Sequence, residues 1–223
     1  MIKLKKTRMI VVRHGEAEGN IIRIFHGQYN SSLTEDGHLQ AGRTAEFLKN
    51  YKIDHIYSSD LNRTMSTASH IADGRNLDII TDPRLREIDG GKWENVPWDD
   101  LPRMFPESYG NRENDIAKTV MPGGESVEQM FVRTKDALDD IASRHPGETV
   151  CVVSHGTVLR ALLCLWRGLP LSQMQNVPWF DNASVTIIDY THPGYEIVEE
   201  GINHHLEDIS TFGKQNWWQR YSK

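Results

Sequence analysis

The run Met9-Ile10-Val11-Val12 passes directly into Arg13-His14-Gly15-Glu16, and the same arrangement returns where Val150-Cys151-Val152-Val153 passes into Ser154-His155-Gly156. Short, largely β-branched apolar runs describe buried strands. A strand that stops abruptly at polar residues and a glycine delivers side chains to the carboxyl edge of a sheet, where open α/β sheets bind ligands. If the two strands are parallel neighbours, a spacing of roughly 4.8 Å sets His14 and His155 on either side of one small group, about the size of a phosphoryl. One such histidine is ordinarily a mere strand end. Two matched ones, each followed by glycine, point to a site.

The remaining signals alternate between strand and helix. A strand at about 8–13 leads to a glycine-containing loop through Gly27. A helix is expected near 35–50, with Leu39, Ala45 and Leu48 inward. A short strand at Ile53–Tyr57, a helix at about 60–73 and a strand at Leu77–Thr81 follow. Val127, Met130, Phe131, Thr134, Leu138 and Ile141 form one helical stripe that begins at Gly124-Glu125-Ser126 and stops at Pro146-Gly147. A helix at Val158–Trp166, a strand at Val185–Ile188 and a pairing segment at Tyr195–Val198 complete the pattern. Such alternation gives a mostly parallel sheet with helices on both faces. No repeat or linker divides the chain, so residues 1–223 read as one domain. The segment at about 90–124, with Trp93, Trp98, Phe105 and Tyr109 among prolines, glycines and charges, reads as a partly helical cap over the sheet edge.

The net charge of −6 argues against general nucleic-acid binding and requires any anion site to be a local arginine cluster. Cys151 and Cys164 lack metal-ligand or C-x-x-C spacing, and no apolar stretch of signal-peptide or membrane-spanning length is present. A reduced, cytoplasmic setting without membrane association is expected. In Ser58-Ser59-Asp60-Leu61-Asn62-Arg63, Ser59 or Asp60 would cap a helix and place Arg63 in its first turn. A cation there opposes the helix dipole unless it and the helix end jointly hold an anion. Arg13 would supply a second guanidinium fork suited to phosphate oxygens.

Arg13-His14-Gly15-Glu16 with Asn20, Leu33-Thr34-Glu35-Asp36-Gly37 with Gln40-Ala41, Tyr57 to Thr64, Leu85-Arg86-Glu87 and Ser154-His155-Gly156 occur in this order over about residues 8–168. Together they resemble the signature of the histidine phosphatase superfamily, the clan of phosphoglycerate-mutase-like enzymes. The resemblance implies a three-layer α/β/α sandwich and a phosphohistidine intermediate. It matches His14 to the nucleophile, Glu87 to the proton donor, and Arg13, Arg63, His155 and Asn20 to the phosphate pocket. His26, Gly27, Gly156 and Thr157 fall at neighbouring substrate-binding positions. The chemistry agrees. A neutral imidazole is a competent nucleophile if a backbone carbonyl fixes its tautomer, and a carboxyl beside a phosphate holds its proton. Glu16 is expected to support the loop. Ala17 stands where the family usually has Ser or Thr, His26 where Gln or Thr is common, and Thr157 where mutases tend to carry Asn.

The expected activity is that of a histidine acid-type phosphatase: a phosphomonoesterase, independent of metal and cofactor, acting on a small phosphorylated metabolite. A phosphoglycerate mutase is the alternative. The run Glu87-Ile88-Asp89-Gly90-Gly91-Lys92-Trp93-Glu94, the acidic balance of the insertion and the Pro122-Gly123-Gly124-Glu125-Ser126 helix start are instead similar to the phosphatase branch. A phospho-ligand-binding pseudoenzyme would lack His14 or Glu87, and a protein phosphatase would not suit the cap. His204-His205 has no third ligand in its spacing and is not expected to hold a metal. Trp217-Trp218 is expected to pack on the body of the chain or on the partner of a homodimer.

Overall fold

The two apolar runs are neighbouring parallel strands. In the computed structural model, which describes residues 5–214, the strands are β1 (Thr7–Arg13), β2 (His55–Ser58), β3 (Ile79–Thr81), β4 (Thr149–Ser154), β5 (Val185–Thr191) and β6 (Gly194–Ile202). The helices are α1 (Glu18–Ile22), α2 (Glu35–Phe47), α3 (Asn62–Ala72), α4 (Leu101–Met104), α5 (Pro106–Asn114), α6 (Val127–Arg144), α7 (Gly156–Trp166) and α8 (Thr211–Lys214). One sheet runs in the order β3-β2-β4-β1-β5-β6. Its β1, β2, β3 and β4 are parallel, and β5 and β6 are antiparallel additions at one side.

Both faces of the sheet are covered, as the unbroken apolar runs require. Met9 and Val11 of β1 pack with Val150 and Val152 of β4 against α6 and α7. Ile10 and Val12 pack with Cys151 and Val153 against Ile56, Ala68 and Ile71. Alternate residues of each strand thus enter opposite cores. Ser126 caps α6 in a reciprocal pair with Gln129, and the helix ends just before Pro146-Gly147.

Several boundaries differ from the expectation. Leu39 is 58% exposed rather than inward. The buried face of α2 carries Gln40, Ala41 and Thr44 instead. Gln40 accepts from the Glu16 N–H and donates to Thr211 Oγ1 and the Ile209 carbonyl. A face whose work is hydrogen bonding does not announce itself by hydrophobic phase. Leu48 is buried as expected, within a 3₁₀ turn that follows α2. Neither Ser59 nor Asp60 caps α3: Leu61 holds that position without a side-chain bond, while Asp60 pairs with Arg86. β3 is an edge strand confined to three residues, and α7 starts at Gly156 rather than Val158.

The segment after Glu87 brings Trp98, Tyr109, Arg112 and Ile116 to the same cavity as His14 and Gly156, which follow β1 and β4. Trp93 is its fully buried centre, edge-on to Phe25 with centroids 5.4 Å apart and beside Phe105 and Tyr109. Among the described residues no helix is long and apolar enough to cross a membrane. Trp217 and Trp218 lie outside the described residues.

Candidate active site

Because Arg13 pairs with Ser154 in the β1–β4 ladder, His14 and His155 are the next residues on adjacent chains. Their rings meet edge to face with centroids 5.3 Å apart. His14 Nδ1 lies 2.7 Å from the Gly15 carbonyl. A carbonyl can only accept, so Nδ1 carries the proton and Nε2 presents its lone pair. Burial, and then the charges of Arg63 and Arg13, hold the His14 pKa well below the ordinary histidine range. The imidazole is therefore neutral at neutral pH, the form that attacks an electrophile.

The arginines are placed by backbone carbonyls. Arg63 donates from Nη1 to Tyr29 O and from Nη2 to Gly27 O, each at 2.8 Å. Arg13 Nη1 donates to Phe180 O at 2.6 Å. Gly27 holds a φ of +54°, the left-handed turn that aims its carbonyl at Arg63. The Nε groups of both arginines are buried without a partner. Burial pushes both guanidinium groups down to about 10, so both stay charged at neutral pH. Unpartnered buried donors on cations are expensive unless an anion completes them. Gly156 leaves room for this cluster: a Cβ there would sit 2.8 Å from Trp179 and 3.2 Å from the Arg13 guanidinium.

Glu87 is buried at the start of the cap segment. Its Oε1 accepts from Ile88 N–H at 2.9 Å and its Oε2 from Thr157 N–H at 3.1 Å. Arg133 fixes the chain behind it, donating to the carbonyls of Arg84, Arg86 and Glu87 while paired with Glu125. Glu16 accepts from Thr34 and Thr211, the loop support read from sequence.

A cavity of about 450 Å³ joins these groups. Arg13, His14, Asn20, His26, Gly27, Arg63, Glu87, Gly156 and Thr157 all line it. His155 does not; it is fully buried behind, with Nε2 on Ser59 Oγ at 2.9 Å and Nδ1 unpartnered. Asn20 is held through Oδ1, which accepts from the buried Ala17 N–H. His26 Nε2 accepts from Gly19 N–H at 3.1 Å, so its Nδ1 carries the proton. Burial and the two arginines push the His26 pKa down to about 3.

The far end of the cavity was not legible from any one segment. Trp98, Tyr109 and Ile116 come from the cap, Val177 and Trp179 from the loop before β5. Arg23, Arg112 and Arg160 bring cations among Asp99 and Glu113. The acidic balance along 90–124 is therefore a poor guide to the cavity, because two of these arginines come from elsewhere in the chain. Asn182 was also missed. Its Nδ2 donates to the carbonyls of His14 and Gly15, 3.1 and 3.3 Å away, and so steadies the His14 turn. It lies in the run Val177-Pro178-Trp179-Phe180-Asp181-Asn182, which is neither helix nor strand and so has no period to read. His204 and His205 pack edge-on and stacked against Phe47, and His205 Nε2 lies 3.0 Å from Thr44 Oγ1.

Residues 9–203 match the pattern of the histidine phosphatase superfamily, branch 1. The chain is 35% identical to phosphoserine phosphatase 1 of Hydrogenobacter thermophilus, over 91% of this chain and 95% of that one. It is 37% identical to the probable phosphoglycerate mutase GpmB of Yersinia pestis, over 90% of this chain and 95% of that one. Among solved structures, Bacillus stearothermophilus YhfR superposes with a TM-score of 0.86 at 32% identity, covering 90% of this chain and 99% of that one. The sheet order, the paired histidine strands and these likenesses agree: the chain belongs to branch 1 of the histidine phosphatase superfamily.

Proposed function

We propose that this protein is a metal-independent phosphomonoesterase that works on a small phosphorylated metabolite through a phosphohistidine on His14. The observation that carries the reading is the neutral His14, its Nε2 free to attack, beside two buried arginines whose Nε groups lack partners. In the first step Nε2 attacks phosphorus and the bond to the leaving oxygen breaks. Glu87, which lines the cavity beside His14, is the group placed to give that oxygen its proton. Arg13, Arg63 and Asn20 stabilise charge on the phosphoryl oxygens, and His155 adds its Nδ1 donor while Ser59 donates to Nε2. In the second step Glu87 takes a proton from water, the oxygen attacks phosphorus, the P–N bond breaks and neutral His14 is restored with release of phosphate.

The leaving-group end of the cavity combines aromatic walls with Arg23, Arg112 and Arg160. It suits a compact leaving group with an apolar face and an anionic substituent. That character is in keeping with a relative named for phosphoserine. The same arginines favour phosphoglycerate mutase as a second reading, since they could retain a carboxylate-bearing intermediate, and GpmB is named for that activity. The buried free cysteines Cys151 and Cys164 accord with action in the cytoplasm.

A panel of phosphoserine, phosphoglycerates, sugar phosphates and aryl phosphates, compared by kcat/KM for phosphate release, tests the reading. Phosphate release that outpaces interconversion of 3- and 2-phosphoglycerate is expected, with or without 2,3-bisphosphoglycerate. Faster interconversion would establish the mutase.

A further inference from the structure

Three side chains with metal-binding donors converge at the edge of the sheet opposite the cavity. His55 is the first residue of β2, His145 ends α6, and Glu148 immediately precedes β4. His55 Nε2 and His145 Nδ1 lie 3.0 and 2.9 Å from one and the same oxygen, Glu148 Oε2. All three donor atoms fall within 4.8 Å of one another. The two imidazoles pack closely, tilted at 31° with centroids 4.0 Å apart. We infer that His55, His145 and Glu148 form a site for a divalent transition-metal ion of the zinc class.

The donor set and spacing carry the inference. Ligands about 2.0–2.1 Å from a tetrahedral zinc stand roughly 3.3 Å from each other. Two edges of the triangle are already near that value, and small side-chain rotations would open them around an ion. Two nitrogens and one carboxylate select a zinc-like ion over Mg²⁺ or Ca²⁺, which take oxygen ligands. Tyr57 supplies an outer partner. Its hydroxyl lies 3.0 Å from His145 Nε2, the ring nitrogen turned away from Glu148. With Nδ1 on the metal, Nε2–H donates to that hydroxyl, the arrangement that orients ligating histidines. The frame is rigid, since Asp54 N–H donates to Thr149 O and Thr149 N–H to Asp54 Oδ2, locking the two strand starts together. His55 and Glu148 are 35% and 44% exposed, which gives an ion an entry path and leaves the fourth position to water.

Six residues of β4 separate Glu148 from His155, a span of about 23 Å at the rise of a strand. The ion would therefore join the start of β2 to the turn between α6 and β4, and take no part in the reaction at His14. The sequence did not show the site because His55 is remote from His145 and Glu148 in the chain.

The test uses the untagged full chain, stripped with chelator, then titrated with Zn²⁺ by calorimetry and with Co²⁺ by visible absorption. One equivalent should bind, Co²⁺ should show the intense bands of tetrahedral coordination, and Zn²⁺ should raise Tm. His55→Ala and Glu148→Gln should each weaken binding at least tenfold and abolish the Tm rise, and Tyr57→Phe should weaken it about tenfold. Circular dichroism of the stripped variants confirms that they fold. Their rate on 4-nitrophenyl phosphate should match that of the unaltered chain under chelator. Binding that survives both substitutions, that vanishes instead with His14→Ala, or that is absent altogether would overturn the inference.

Discussion

The Thr157 N–H donates to Glu87 Oε2 at 3.1 Å, so the carboxylate sits on the first turn of α7, the helix for which His155 is the N-cap. The candidate proton donor and the second histidine are thereby indexed to the same helix end. Ile88 N–H holds the other oxygen. A group gripped at both oxygens by amides cannot swing toward a substrate; the substrate must come to it. Glu87→Gln keeps the shape but has no proton to give. It should lower kcat on alkyl phosphates by at least about 10²-fold and barely change kcat on 4-nitrophenyl phosphate, whose leaving group needs no proton. Equal losses on both would remove Glu87 from the role.

His14→Ala should abolish covalent labelling by a ³²P-labelled substrate. In the unaltered chain the label should be acid-labile and alkali-stable, as a phosphoramidate is. Arg63→Ala and His155→Ala should keep the nucleophile yet lower the rate by about 10²–10³-fold, the usual effect of removing one charge-stabilising donor. Arg63→Ala also frees the Gly27 and Tyr29 carbonyls, so Arg63→Lys separates charge from geometry. Lysine should recover only part of the rate, because it cannot span two carbonyls with a planar fork. A stable label in His14→Ala would refute the covalent route.

Exhaustive chelation should leave the rate unchanged. Among the described residues, the phosphoryl end of the cavity is made of arginine, histidine and asparagine around one carboxylate, Glu87, without the paired carboxylates that hold catalytic divalent ions. A rate that falls on chelation and returns with a divalent ion would require a different reaction path.

Much of this was legible because local and global demands agree in the two histidine strands. Unbroken apolar runs suit central strands buried on both faces, and because β1 and β4 pair in parallel with Arg13 opposite Ser154, His14 and His155 lie side by side. Arg63 was readable from its conflict with the helix dipole, which the carbonyls of Gly27 and Tyr29 help to accommodate. Elements held by hydrogen bonds were misread or missed. The phase of α2 follows Gln40 rather than Leu39, and Ser59 serves His155 instead of capping α3. Asn182 and Trp179 lie in irregular chain with no period to read, and Arg23, Arg112 and Arg160 meet only through the fold.

Acid should destabilise the protein through its buried histidines. His14, His155 and His26 all have folded pKa values depressed by burial first and by Arg63 among the neighbouring charges, His26 to about 3. Above pH 6.5 neither folded nor unfolded imidazoles bind the proton, so nothing is lost. Below it the unfolded chain takes up protons that the folded chain refuses, and stability falls down to the folded values. Each such group contributes up to about 1.4 kcal/mol per pH unit in that window. Denaturant melts between pH 6.5 and 4 should show this slope, and His26→Gln should reduce it by close to one proton. An unchanged slope would mean that His26 is protonated in the folded state.

Selectivity should reside at the far end of the cavity. The Arg112 guanidinium stacks on Trp98, 5.2 Å from the ring centroid, and Trp98 rests on Phe25 at 5.1 Å. Both Trp98 and Arg112 belong to the cap, well separated in sequence from His14, Arg63 and His155, so their replacement should spare the phosphoryl chemistry. Arg112→Leu removes the charge while retaining apolar bulk over the ring. If the leaving group carries a carboxylate, a charge-assisted contact of about 1.5–3 kcal/mol is lost, or roughly 10- to 100-fold in kcat/KM. The loss should appear with phosphoserine or phosphoglycerate, largely in KM, and should be absent with 4-nitrophenyl phosphate. Trp98→Ala should have the opposite bias, harming the aryl ester through lost stacking area. Two variants with opposed preferences would show that the cap reads both the charge and the apolar face of the leaving group. Parallel losses on every ester would mean instead that the cap only shields the site from water.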